Sequence, residues 1–149
     1  MSIKFYFYLL YCMLQKNRRQ QMNLSIKLDH FDINNVHFME LIPNKVMQGL
    51  FSNVVYTDSN VIFSGIYIQL PLICDENRNI VTQQVVQLEN KLIEQYKIFF
   101  SVIKEPVYNN KFYFHDTINS NPFILKISGI WETGTHFGIN RKVILTTTK

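Results

Sequence analysis

Residues 122–146 carry the clearest alternation in the chain. Pro122-Phe-Ile-Leu-Lys-Ile-Ser-Gly-Ile-Trp131 and Phe137-Gly-Ile-Asn-Arg-Lys-Val-Ile-Leu-Thr146 are rich in β-branched residues, and Thr133, Gly134 and Thr135 lie between them. Successive side chains of a strand point to opposite faces, so the two runs predict a β-hairpin. On the first arm Phe123, Leu125, Ile127, Gly129 and Trp131 share one face. Ile124, Lys126, Ser128 and Ile130 share the other. On the second arm Ile139, Arg141, Val143 and Leu145 alternate with Asn140, Lys142, Ile144 and Thr146. A second hairpin is predicted from residues 51–56 and 61–70 around the polar turn 57–60. On its second arm Ile62, Ile66, Ile68 and Leu70 face away from Phe63, Gly65, Tyr67 and Gln69. Shorter strands are predicted at 24–28 and 36–42, the latter closed by Pro43-Asn44. Val107-Tyr108 and residues 111–115 are two further short candidates.

The period changes between residues 82 and 103. Val85, Leu88, Leu92, Tyr96, Phe99 and Ile103 recur every three or four positions, which is the apolar stripe of an amphipathic helix. Gln87, Glu89, Asn90, Lys91, Glu94 and Lys97 fill the opposite side. A helix over 83–103 follows, with Thr82 as its N-cap and an end before Pro106. The chain is therefore expected to be mainly β, an OB-like barrel or sandwich with one long amphipathic helix against an open end. The stripe is expected to pack within the chain. Docking of helix 83–103 on a protein partner is the alternative.

Composition sharpens this picture at the N-terminus. The 149 residues are 47% hydrophobic and 17% charged, which suits one globular domain with a real core. The formal charge is +4. Lys4, Lys16, Arg18 and Arg19 supply all of it, because residues 1–21 hold no acid and the rest of the chain is balanced. Residues 1–21 read as a leader, an upstream extension of the reading frame that precedes Met22, and 22–149 as a single β-rich domain. The apolar run 5–14 is shorter than the roughly 20 residues a membrane span needs. Its bases follow the run instead of preceding it, so a secretion signal is not expected either. Membrane association is therefore not expected. Cys12 and Cys74 are too few for a disulfide framework, which points to a reducing, cytoplasmic setting.

Motifs for catalysis are weak. His30, His37, His115 and His136 have no Cys or carboxylate at metal-ligand spacing, so no metal is expected. Ser64-Gly65 and Ser128-Gly129 lack the strand-to-helix turn of a hydrolase nucleophile. The 5 glycines form no phosphate loop. An enzyme and a cofactor are not expected. Aromatic and basic residues on β faces are the remaining signal. Single-stranded nucleic acid is held by bases stacking on aromatic rings while Lys and Arg follow the phosphates. The candidates are Phe63, Tyr67, Lys126, Trp131, Arg141 and Lys142, with Phe112 and Tyr113 as additions.

Val36-His-Phe-Met with Pro43-Asn44, Gln69-Leu-Pro-Leu72, and Leu125-Lys-Ile-Ser-Gly-Ile-Trp131 with Gly138 and Lys142-Val143 resemble small proteins of nucleocytoplasmic large DNA viruses. They are also faintly similar to the OB-fold-type single-stranded-DNA-binding proteins of those viruses. The resemblance implies an OB-like barrel, a part in viral DNA replication, and location in the host cytoplasm or viral factory. The expected function is a non-catalytic module binding single-stranded nucleic acid. A viral structural or protein-interaction component is the alternative. The chain departs from the pattern in the neutral balance of residues 22–149 and in its non-acidic end, Ile144-Leu-Thr-Thr-Thr-Lys149.

Overall fold

The structure is a computed structural model, and it describes residues 25–58, 61–108 and 123–145. The leader 1–21, the strand predicted at 111–115, Phe112 and Tyr113 lie outside the described residues. Nine strands and one α-helix are formed among the described residues. The strands are β1 (Ile26–Lys27), β2 (Val36–Phe38), β3 (Ile42–Pro43), β4 (Leu50–Asp58), β5 (Val61–Ser64), β6 (Ile66–Gln69), β7 (Glu105–Pro106), β8 (Phe123–Glu132) and β9 (His136–Leu145). The helix α1 spans Arg78–Phe99.

β8 is the spine of the sheet. The hairpin partner β9 pairs along one edge of it, from Phe123↔Leu145 to Glu132↔Phe137. On the other edge β6 and β4 follow one another, β6 against Ile124 to Ile127 and β4 against Gly129 to Glu132. β4 then runs past β8 and pairs with β5 and β2. Most pairings are antiparallel, but β1 lies parallel to β6, and β7 parallel to β9. Among the described residues the fold is thus mainly β with one α-helix, as the sequence pattern predicts. The sheet is one mixed sheet, and it does not close into a barrel.

Two single-residue irregularities decide which side chains face inward. Gly65, at φ 93°, lies where the chain leaves β4 and joins β8, a backbone turn that favours glycine. After it the alternation restarts one residue late. Phe63 and Ile66 therefore both enter the core. The second irregularity is a β-bulge in β8, where the register steps from Ile127↔Arg141 to Gly129↔Asn140. Ser128 is the extra residue. A bulge places two residues opposite one and resets the pleat. Phe123, Leu125 and Ile127 face inward before it, and Ile130 and Glu132 after it. The single face expected for Phe123, Leu125, Ile127, Gly129 and Trp131 therefore splits, and Trp131 turns outward.

Helix α1 lies against the inner face. Val81, Val85, Leu88, Leu92, Ile93 and Tyr96 are buried with Ile66, Ile68, Leu125, Ile127, Ile130 and Phe137. Each large apolar side chain removed from water stabilises by about 1.5–3 kcal/mol. The stripe predicted from sequence is thus spent largely inside the chain. Its end is not: Phe99 is 39% exposed, and Ile103 lies past the helix at 97%. The helix also starts one turn earlier than predicted. Thr82 is not its cap, since its hydroxyl donates to the Arg78 carbonyl inside the helix. Asn77 closes the preceding loop instead, accepting from Cys74 N–H at 2.8 Å and donating to the Leu72 carbonyl at 2.7 Å. No helix of the described residues is long and apolar enough to cross a membrane.

Candidate functional site

The outer face of the sheet, opposite α1, gathers most of the aromatic and basic candidates. Register places Tyr67 of β6, Lys126 of β8 and Lys142 of β9 in one row across three neighbouring strands. Adjacent strands lie about 4.8 Å apart, so the three side chains stand side by side. Lys126 Nζ sits 5.5 Å from the centroid of the Tyr67 ring. Tyr67 and Lys126 are half-buried, and Lys142 is exposed.

A second row lies roughly 16 Å along β8. Phe51 of β4, Trp131 of β8 and Gly138 of β9 are opposite one another there. Glycine leaves the room that both rings use. A Cβ at Gly138 would fall 2.6 Å from Trp131 Cζ2, and a Cβ at Gly129 would fall 2.8 Å from the Phe51 ring. The Trp131 and Phe51 rings thus lie across neighbouring strands. Trp131 is half-buried. Asn53 and Asn140 flank Gly129 between the two rows. At the other end Gln69 pairs with Ile124 and, on its far side, with Lys27 of β1.

Charge on this face has one sign. From β1 to β9 the outward positions hold Lys27, Lys126 and Lys142 and no carboxylate among the described residues. The first acid is Glu105 of β7, beyond His136 at the sheet edge. This surface is therefore positive, although residues 22–149 balance overall.

Two candidates leave the site. Phe63 is 7% exposed, with its ring 6.2 Å from that of Tyr56 in the core. The Gly65 turn puts it there. Arg141 shares the inward face of β9 with the fully buried Phe137, and its guanidinium donates to the Glu89 carboxylate on α1. Lys142, its neighbour in sequence, points the other way. Of the six principal candidates, Tyr67, Lys126, Trp131 and Lys142 come together on one surface. Phe51, Gln69 and Lys27 join them. A three-residue turn at Thr133–Thr135 would set Trp131 opposite Phe137. The observed Trp131–Gly138 pairing leaves four residues, 133–136, inside the last pair, so the sequence held no usable signal for that surface.

Ionisable groups under the sheet serve packing. Burial pushes the Glu89 carboxyl up to about 7, against the pull of Arg141. Glu132, also inward, accepts from the Tyr96 hydroxyl and from Lys104 Nζ at 2.7 Å. Burial and that carboxylate hold the Tyr96 phenol above its ordinary range. None of these groups reaches the outer face. No three His, Cys, Asp or Glu residues are grouped to hold a metal ion among the described residues. Comparison with protein-family models, with curated proteins and with solved structures finds no match for this chain.

Proposed function

We propose that the chain is a non-catalytic module that holds single-stranded nucleic acid along the outer face of its sheet. The observation that carries this reading is the row Tyr67, Lys126 and Lys142, with the Trp131 and Phe51 rings farther along the same face. Rings offer bases a surface to stack on whatever their sequence, and lysines offer phosphates a partner. Lys126 now sits over Tyr67, a contact worth about 0.5–1 kcal/mol when exposed. A stacked base contributes about 1–3 kcal/mol. A base therefore displaces the ammonium, which swings to a phosphate. The reading needs a twisted open sheet and not a closed OB-like barrel. The resemblance to viral single-stranded-DNA-binding proteins points the same way and suggests replication as the setting.

Fluorescence anisotropy with a labelled oligonucleotide at low salt tests this. Binding is expected, and Tyr67→Ala or Trp131→Ala is expected to weaken it about tenfold each, equivalent to about 1.4 kcal/mol. Phe51→Ala is expected to act in the same direction. Absence of binding at low salt, where the phosphate contribution is strongest, removes the reading. A structural or protein-interaction role is the second reading. It is favoured by the exposed Ile98 and Ile103, at 77% and 97%, around the end of α1. It predicts co-purification with a protein that Ile98→Asp and Ile103→Asp release.

A further inference from the structure

We infer that the cleft between α1 and the turn after β1 is a second site, one that takes a single nucleotide unit: a base with its sugar and phosphate. The cleft encloses about 590 Å³, within the size range of small-ligand pockets. Its helical wall presents Gln84, Gln87, Leu88 and Lys91. These positions fall on one side of a helix. The opposite wall presents Lys27, Asp29 and Asp32, from β1 and the turns that follow it, with Asp32 accepting from the Asn34 N–H. Leu70 and Leu88 are buried. They give an apolar floor for the flat face of a base.

The polar groups fit the rest of a nucleotide. Each glutamine amide has both a donor and an acceptor, the combination that reads a base edge. Lys27 and Lys91 bring cations from opposite walls toward a phosphate. Asp29 supplies an acceptor for sugar hydroxyls. The cleft is also continuous with the outer face. Gln69 lines it, pairs with Lys27 in register, and lies two residues beyond Tyr67 on the same side of β6. Gln69 thus stands about 7 Å along the strand from Tyr67. The occupant is either a free nucleotide or the end of a strand lying on the sheet.

The cleft reading goes beyond the outer-face reading, and the two can fail separately. The test follows the side-chain amide signals of Gln84 and Gln87 by NMR in the full chain. The probes are adenosine monophosphate, a linear oligodeoxynucleotide and a circular one of the same sequence. Adenosine monophosphate is expected to shift both signals. By calorimetry Gln84→Ala, Gln87→Ala and Lys91→Ala, all at exposed positions, are expected to weaken its binding about tenfold. Shifts from the linear but not the circular oligonucleotide assign the site to a strand end. Shifts from the mononucleotide alone assign it to a free nucleotide. If no probe moves these signals, or the three variants bind adenosine monophosphate as tightly as the parent chain, the inference is overturned. That holds even where oligonucleotide binding sensitive to Tyr67→Ala persists.

Discussion

Glu89 sits beneath β9 with 1% of its surface exposed and its carboxylate against the Arg141 guanidinium. Burial penalises the charged form, and it outweighs the attraction to Arg141, so the carboxyl titrates near 7 instead of 4.5. The folded state then holds this proton more tightly than the unfolded chain does. Its contribution to stability is complete below the unfolded value and is lost as pH rises through the folded one. The urea midpoint of the parent chain is expected to fall between about pH 4.5 and 7, and Glu89→Gln is expected to flatten that part of the slope. His37, which burial pulls below 6.5, contributes with the opposite sign and cancels in the difference. Equal slopes for the two proteins would mean that Arg141 keeps Glu89 ionised throughout. Such a pair could not be read from the sequence. Strict alternation places Arg141 and Lys142 on opposite faces but does not say which face is covered. Phe63 and Trp131 were harder still, because the one-residue offsets at Gly65 and Ser128 reverse the facing of the residues before each relative to those after it. A glycine inside a strand can mark such a kink, but the run 61–70 read as one continuous arm. Nothing local marks Ser128 as a bulge, since that register is set by the partner strands β4 and β9.

At the scale of elements, α1 shows which half of a helix a sequence reveals. Its apolar stripe was legible because Val85, Leu88, Leu92 and Tyr96 all meet the sheet. Its ends were not, because neither uses the expected residue. Asn77 directs its side chain into the preceding loop, so the helix begins without a side-chain cap. At the other end Ser101 N–H donates to the Ile98 carbonyl and Val102 N–H to that of Lys97. This is the paired closure usually built on a left-handed glycine. Here Ser101 adopts φ 51°. A non-glycine residue in that conformation is strained by about 1–2 kcal/mol, while glycine loses more backbone freedom on folding. Strain relief exceeds the added entropy cost, so Ser101→Gly is expected to stabilise by about 0.5–1 kcal/mol. A urea titration that finds the variant less stable than the parent would show that the serine side chain has a role outweighing its strain. The hairpins carried their own punctuation, the polar turn 57–60 and the turn at Thr133–Thr135. The second lies between β8 and β9 as predicted, but β4 runs on through Thr57 and Asp58, and only Val61–Ser64 of the predicted second arm returns along it, the rest pairing with β8.

For the molecule as a whole, placement of charge says more than its sum. The acids that would neutralise the sheet are drawn under it, with Glu89 against Arg141 and Glu132 against Lys104. The lysines that remain on the strands, Lys27, Lys126 and Lys142, lie on the outer side. A neutral total for residues 22–149 thus coexists with a face of one sign, which composition alone could not show. The consequence is measurable in salt. For single strands each neutralised phosphate contributes about −0.7 to the slope of log affinity against log salt. Three lysines on the face then contribute roughly −2. Bases in the leader would add a constant to that slope, so the informative quantity is the change on substitution. Lys126→Ala and Lys142→Ala are each expected to lessen the slope by about 0.7, whereas Lys97→Ala, exposed on the helix, is expected to leave it unchanged. Tyr67→Ala should lower affinity with little effect on the slope, because stacking releases no counterions. A slope indifferent to both sheet lysines would place the phosphates elsewhere on the chain, and the outer face would lose its claim even if the protein bound DNA.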